Sequence, residues 1–220
     1  MSRIIRILVG ILILASVAAA AYGSLPMGIS GFLLGALIAL LAEPIRHWLF
    51  RAEIKLWFGS TIDYRGPTTE HAGTTILGEA IYLRVRATNT SSTMAKRCRA
   101  YLVNIEELSA RTGQFEQTIH SDTLVLFWSC KRTRDENLAP IDIPFGVNQY
   151  IDVLKTQSYG PTNMFIPCLE FTPSRYMDML SRVGTYRLTI MVTGDEVPPA
   201  TIKIRFTWTG QWDDFTAATE

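Results

Sequence analysis

Residues 81–88 read Ile-Tyr-Leu-Arg-Val-Arg-Ala-Thr, an alternation of apolar side chains with polar or amphipathic ones. Because successive side chains of a β-strand point to opposite faces, this period of two predicts a strand with one buried face. No sustained helical period of 3.6 residues follows residue 53, which favours antiparallel strands throughout that region. The same alternation recurs at 54–58, 97–102, 186–192 and 202–208.

Clusters of Gly, Pro, Asn and Ser separate these segments and predict turns. They lie at 65–67, 89–92, 112–113 and 194–199. Weaker strands are predicted at 115–119, 124–128, 149–156 and 164–171, with a short helix at 174–180 that Ser174 can cap. Roughly seven to nine strands at this spacing predict an all-β fold over residues 53–220, an immunoglobulin-like antiparallel β-sandwich.

Two segments carry a resemblance to known folds. Residues 82–90 followed by 95–102 resemble the strand–turn–strand hairpin of prokaryotic immunoglobulin-like adhesion-type repeats, although Ser91 stands where that turn usually has Gly. The chain is also similar to membrane-anchored bacterial proteins of uncharacterised function. Residues 184–189 resemble the penultimate strand of such folds, in which a Tyr packs at a corner. The resemblance implies the fold and adds nothing on chemistry.

A second feature precedes the β region: residues 7–42 contain 36 residues without a charged side chain. One span needs about 20 apolar residues, so this length suits two short helices. Gly23 and Pro26 mark the break between them. We therefore predict a transmembrane α-helical hairpin with spans at about 4–22 and 27–42. Residues 1–52 would comprise this hairpin and an interfacial segment.

A secretory signal peptide is the alternative interpretation of the first apolar segment. Arg3 and Arg6 would form its basic start, and residues 18–20, all Ala, its cleavage site. In both interpretations basic residues follow the second span, and cationic flanks stay on the cytoplasmic side. The sequence therefore predicts a multi-pass inner-membrane protein with a cytoplasmic C-terminal domain.

Small residues recur four apart in both predicted spans, which lets helix backbones approach closely in lipid. These faces either pack together within one hairpin or form a homodimer between chains, and the sequence does not separate the two arrangements. The membrane-packing residues are Gly31, Gly35 and Ala39 in the second span and Ala15 and Ala19 in the first.

The arginines suggest contacts with anionic lipid. Beyond residue 52 the chain has 17 Lys and Arg against 19 Asp and Glu, a net charge of −2 (17 minus 19), which disfavours nucleic acid as a partner. The cations are clustered, however, on the outward positions of two strands that we expect to pair. A solvated sheet face is the alternative to lipid contact. The candidate lipid-contacting residues are Arg46, Arg51, Arg84, Arg86, Arg97 and Arg99.

Residues that could support catalysis are scattered. Three cysteines without a CxxC spacing suit a reducing compartment, and Cys98 falls on a core face. The sequence contains no GxxxxGK[ST], HExxH or GxSxG motif, and we predict no metal or cofactor. A catalytic site would require His71 or His120 to lie next to a Cys or Asp that is distant in sequence.

The sequence therefore predicts a membrane-anchored, non-enzymatic interaction or scaffold module with an unknown protein partner. Loops at 63–74 and 131–141 are the expected contact surfaces. The alternatives are an extracytoplasmic adhesin or solute-binding protein, which a disulfide between Cys130 and Cys168 would favour, and an enzyme with a site assembled from distant residues.

Overall fold

Two antiparallel β-sheets make up the part of the chain that this computed structural model describes, namely residues 51–59, 64–118, 123–129, 134–160, 164–168 and 182–220. The predicted spans, their small packing residues and Arg46 lie outside these ranges, as do His120, Cys130 and the predicted helix at 174–180. Within the described ranges, no helix has the length and apolar character needed to cross a membrane.

The described elements are thirteen strands and one short helix. In chain order they are β1 (Ile54–Trp57), β2 (Arg65–Ala72), β3 (Thr75–Asn89), β4 (Ala95–Leu108), β5 (Phe115–Gln117), β6 (Leu124–Val125), β7 (Phe127–Trp128), α1 (Arg134–Leu138), β8 (Ile141–Ile143), β9 (Asn148–Gln157), β10 (Met164–Phe165), β11 (Gly184–Asp195), β12 (Val197–Gln211) and β13 (Asp214–Thr219).

The first sheet is built around β3, which is long enough to hold two partners along one edge. Its first part pairs with β2 and its last part with β1, where Asn89 lies opposite Ile54. Its other edge pairs with β9, which in turn pairs with β7 and β10. The sheet order is therefore β1 or β2, then β3, β9, and β7 or β10.

The second sheet has the order β13-β12-β11-β4. The three short strands β5, β6 and β8 share the remaining edge of β4. The chain passes from the first sheet to the second through residues 90–94, between β3 and β4. All strand pairs in the two sheets are antiparallel.

The core lies between the two sheets, where the alternating apolar residues of the sequence meet. Four of the five alternating segments bury the faces that the period of two predicts, for example Leu83 and Val85 in β3, and the segment 54–58 buries Ile54 fully and the other apolar residues of that face in part. Fully burying one such aromatic or aliphatic side chain stabilises the fold by about 1.5–3 kcal/mol. The largest fully buried side chains are Trp128, Trp208, Tyr186, Phe206 and Phe215.

Several sequence-based expectations are wrong. The segment 65–72, expected as part of a loop, is strand β2, which forms a hairpin with β3 through Gly73 at φ +63°. Its residues are polar because it is an edge strand whose side chains are mostly exposed. Residues 134–138 form α1 within the other expected loop, and β8 and β13 were not predicted. The described strands number thirteen, more than the expected seven to nine.

The expected pairing of β3 with β4 is also wrong. Although the two strands are consecutive in sequence, β3 belongs to the first sheet and β4 to the second. Arg84 and Arg86 therefore lie on the outer face of one sheet, while Arg97 and Arg99 lie on the outer face of the other. The hairpin-like sequence is instead a crossover between layers, which leaves these arginines on opposite sides of the sandwich.

Candidate functional site

A β-bulge in β4 places Arg97 in an unusual backbone conformation. Four residues of β4, from Lys96 to Arg99, lie opposite three of β11, from Thr193 to Asp195, and the same one-residue mismatch occurs against β8 on the other side. Arg97 takes up the extra residue with φ +50°. A left-handed conformation is unfavourable for a residue with a side chain, so the surrounding strands hold Arg97 there. Bulges of this kind redirect side chains out of the regular ladder.

Gly194 lets β11 come close to the bulge. A Cβ atom at this position would lie 2.5 Å from the Lys96 carbonyl oxygen and 3.1 Å from Cys98 Sγ. Any side chain would therefore force the two strands apart. On the opposite side, the Arg97 backbone N–H donates to Asp142 Oδ1 at 2.8 Å. Contacts from both neighbouring strands thus determine the shape of the bulge.

An open groove of about 330 Å³ lies beside the bulge on the outer face of the second sheet. The Arg97 guanidinium is exposed, with Nη1 3.7 Å from Asp195 Oδ2. Tyr101 is half-buried and supplies an aromatic wall. We call this groove the arginine groove, and it is lined by Arg97, Arg99, Tyr101, Pro140, Thr193, Gly194 and Asp195.

The chemistry of the arginine groove suits a carboxylate. A guanidinium presents a planar set of donors that bind a carboxylate in a bidentate manner, and such charged hydrogen bonds are stronger than neutral ones. Tyrosine and arginine are also the residue types enriched at the centres of protein interfaces. The groove can therefore bind one or two acidic groups beside an apolar contact.

A different polar cluster occupies the outer face of the first sheet. Glu70 accepts hydrogen bonds from Tyr82, Tyr159 and Lys155. The Lys155 ammonium also lies 5.6 Å from the centroids of both tyrosine rings and 5.0 Å from that of Phe165. This cluster joins β2, β3 and β9, and its polar groups are satisfied by one another.

The pKa values in this cluster follow from its hydrogen bonds. Burial acts to raise the pKa of Glu70, but the bonds from Lys155, Tyr159 and Tyr82 outweigh it, so the pKa lies below its ordinary value. Burial and the hydrogen bond to Glu70 raise the pKa values of both Tyr82 and Tyr159. The carboxylate stays ionised and the phenols stay protonated, which is the arrangement of a structural cluster.

The predicted lipid-contacting residues of β3 are engaged within their own sheet. Arg84 Nε donates to Asp152 Oδ1 at 2.9 Å, and its guanidinium lies over the Tyr82 ring. Arg86 lies 5.8 Å from the centroid of Tyr64, and its buried Nε has no hydrogen-bond partner among the described residues. Burial raises the pKa of Asp152, opposed by Ser129 and Arg84.

The candidate catalytic residues do not converge in the described part of the chain. Cys98 is fully buried beneath the arginine groove, and burial raises the pKa of its thiol to about 11. A thiol with this pKa is a poor nucleophile. His71 is exposed on β2. The described residues contain no group of three His, Cys, Asp or Glu side chains able to hold a metal ion.

Sequence reasoning identified Arg97 and Arg99 but missed Tyr101, Asp142 and Asp195. Asp195 lies in a segment that reads only as a turn, and nothing in the pattern of β4 indicates a bulge. The Glu70 and Lys155 pair was missed because 85 positions separate the two residues. No protein-family model matches this chain, and no curated protein matches it at a significant level.

Proposed function

We propose that this chain is a membrane-anchored, non-enzymatic interaction module. Its β-sandwich would bind an acidic segment of a protein partner in the arginine groove, at the cytoplasmic face of the membrane. The observation that supports this function is Arg97, whose left-handed backbone is held by two neighbouring strands while its guanidinium stays exposed beside Arg99. Strain maintained at an exposed charged residue is typical of binding sites.

We assign the fold to the immunoglobulin-like class. Immunoglobulin sandwiches pair their strands in the orders A-B-E-D and C-F-G. The orders β1-β3-β9-β7 and β4-β11-β12 correspond to these two sheets, with β13, β2 and the short edge strands as additions. The buried Tyr186 near the start of β11 donates its hydroxyl to the Arg182 carbonyl at 2.9 Å, as the tyrosine corner of such domains does.

The charges around the arginine groove favour a peptide over a lipid surface. At the rim of the groove Arg97 and Arg99 are accompanied by Asp195, and the Asp142 carboxylate accepts a hydrogen bond from the Arg97 backbone N–H. These charges balance, so the rim offers no general attraction to an anionic bilayer. Short-range pairing of the guanidinium groups with individual carboxylates does not need such an attraction.

Reconstitution in phosphatidylcholine nanodiscs tests the binding site, with fluorescein-labelled hexaglutamate as the probe and anisotropy as the readout. We expect Arg97→Gln and Arg99→Gln each to weaken binding several-fold. The control is Arg205→Gln, because Arg205 is another exposed arginine on the same outer sheet face, paired at 3.9 Å with Glu220. This variant should bind like the wild type.

Equal weakening in all three variants would show that only overall charge matters, and absent binding would reject the arginine groove as a site. A loss of peptide binding in phosphatidylserine nanodiscs, but not in phosphatidylcholine, would mean that lipid occupies these arginines. That result would replace the protein partner with the anionic lipid that the sequence predicts.

Topology tests the anchor and its orientation. Fusions of a fluorescent protein and of alkaline phosphatase after Glu220 report the compartment of the C-terminal domain. Fluorescence without phosphatase activity would support the cytoplasmic placement. Phosphatase activity without fluorescence would overturn it and favour an extracytoplasmic adhesin or solute-binding protein.

A further inference from the structure

The chain enters the β domain at a defined end of the sandwich. Ala52 and Ile54 are already part of the buried core. The Thr90 backbone N–H donates to the Glu53 carbonyl oxygen at 2.9 Å, which ties this first segment to the crossover between the sheets. The chain therefore enters the domain directly beside the loop at 90–94, and it is held by the domain from its first residues onward.

A second loop, at 144–147, lies at the same end. Phe145 forms a β-bridge with Asn89, and the Gly146 backbone N–H donates to the Asn89 carbonyl oxygen at 2.9 Å. The Asn89 side chain donates to the carbonyl oxygens of Thr93 and Ile143. One buried residue thus holds both loops in place, so the positions of their tips are determined by the fold.

These loops expose large apolar side chains. Phe145 is 64% exposed and Met94 45% exposed, with Val147 beside them. We call Met94, Phe145 and Val147 the apolar tip. Exposure of an aromatic residue together with two aliphatic ones on rigid loops is typical of a surface that contacts another apolar phase.

We propose that the apolar tip inserts into the interfacial zone of the bilayer. The inference rests on the membrane anchor proposed above, since the predicted second span ends at about residue 42. Only nine residues, 43–51, then connect that span to the core, and they include Trp48 and Phe50. An aromatic side chain held this close to the bilayer is favourable at the headgroup boundary.

The opposite end of the sandwich provides a matched control. Val183 is 69% exposed and directly precedes β11, whose other end pairs with Lys96 near the apolar tip. Twelve residues of strand separate the two ends, a distance on the order of 40 Å. Val183 and Phe145 are both strongly exposed, but only Phe145 lies at the end of the sandwich where the chain enters the domain.

The test uses the full chain in phosphatidylcholine vesicles, with a bimane fluorophore attached at Phe145→Cys or at Val183→Cys. Lipids brominated on the acyl chain near the headgroup quench a fluorophore that reaches this depth. We expect a several-fold greater loss of fluorescence at position 145 than at position 183. Labelling of the unsubstituted chain gives the background from its own cysteines.

Flotation of the vesicles separates the possible failures. If the chain floats with the vesicles but position 145 is quenched no more than position 183, the anchor stands and the insertion is wrong. A blue-shifted but unquenched label at 145 would mean that protein covers the apolar tip, which also overturns the inference. A chain that does not float would overturn the proposed anchor and the insertion together.

Discussion

Among single residues, Arg97 combines an exposed guanidinium with an unfavourable left-handed backbone conformation. Its φ of +50° lies in the region that suits glycine, and the Asp142 carboxylate binds its N–H. A glycine would relieve the strain but would remove the guanidinium. Stability and binding are therefore expected to respond in opposite directions at this position.

We predict that Arg97→Gly keeps the free energy of unfolding or raises it by up to about 1 kcal/mol, because glycine adopts the left-handed region without strain. Arg99→Gly, two positions along the same strand, should lose about 1 kcal/mol instead, since Arg99 is in ordinary extended backbone. Denaturant unfolding of the two variants provides the measurement. Equal losses would show that Arg97 is not strained.

Glu70 makes stability depend on pH. Its pKa in the folded protein lies below the ordinary value of 4.5, so the ionised carboxylate stabilises the fold fully above pH 4.5, and this stabilisation is lost as the pH falls from there through the lower pKa of the folded state. We predict that Glu70→Gln lowers the free energy of unfolding at pH 7 by about 1 kcal/mol, allowing for solvent screening. The difference in free energy of unfolding between Glu70→Gln and the wild type should become smaller below pH 4.5.

Unfolding of both proteins across the acid range checks this dependence. Glu79→Gln is the control, because Glu79 is an exposed carboxylate on β3, the strand next to Glu70. A gap between Glu70→Gln and the wild type that stays constant with pH would contradict a role for the ionised carboxylate.

At the scale of elements, the close approach of β11 to β4 depends on Gly194. We predict that Gly194→Ala costs about 2 kcal/mol of stability, because the added Cβ would overlap the Lys96 backbone. Gly59→Ala is the control, since its Cβ would meet only Tyr64 at 3.5 Å, an ordinary contact, and should change stability by less than about 0.5 kcal/mol.

Thermal unfolding compares the two glycine variants. A Gly194→Ala protein as stable as Gly59→Ala would mean that β4 and β11 can separate at the bulge without loss. Binding of the hexaglutamate probe should fall with Gly194→Ala as well, because movement of β11 would displace Asp195 and reshape the arginine groove.

At the scale of the whole molecule, a single buried amide connects the two sheets. Asn89 ends β3 in the first sheet, and its side chain donates to the Ile143 carbonyl of β8, which pairs with the second sheet. It also accepts two hydrogen bonds from Ser91 in the crossover. The sequence pattern indicates only a turn at Asn89, whereas in the structure this residue joins the two sheets.

We predict that Asn89→Ala lowers the free energy of unfolding by about 2–3 kcal/mol, because the buried Ile143 carbonyl loses its donor and the Thr93 carbonyl keeps only the Ser91 hydroxyl. Asn148→Ala removes an exposed amide whose bond is to Thr88, and should cost less than about 1 kcal/mol. Chemical unfolding of the two variants distinguishes them, and equal costs would contradict this role for Asn89.

The strands with strong alternation, and the residues that they bury, could be predicted from local pattern, because a period of two depends only on the geometry of an extended chain. The sequence did not indicate β2, since an edge strand with polar side chains is defined by hydrogen bonds to its neighbour. The apolar and basic patterns of residues 1–52 predict a membrane anchor, and the proposed membrane location rests on this prediction.

The assignment of strands to sheets, and the contacts between distant side chains, came from the packing of the folded domain. Consecutive strands β3 and β4 part into different layers, so four arginines expected on one surface lie on two opposite ones. Glu70 meets Lys155, and Arg97 meets Asp195, through contacts between segments far apart in sequence. Local patterns predict which face of a strand is buried, but pairing and register depend on the packing of the whole domain.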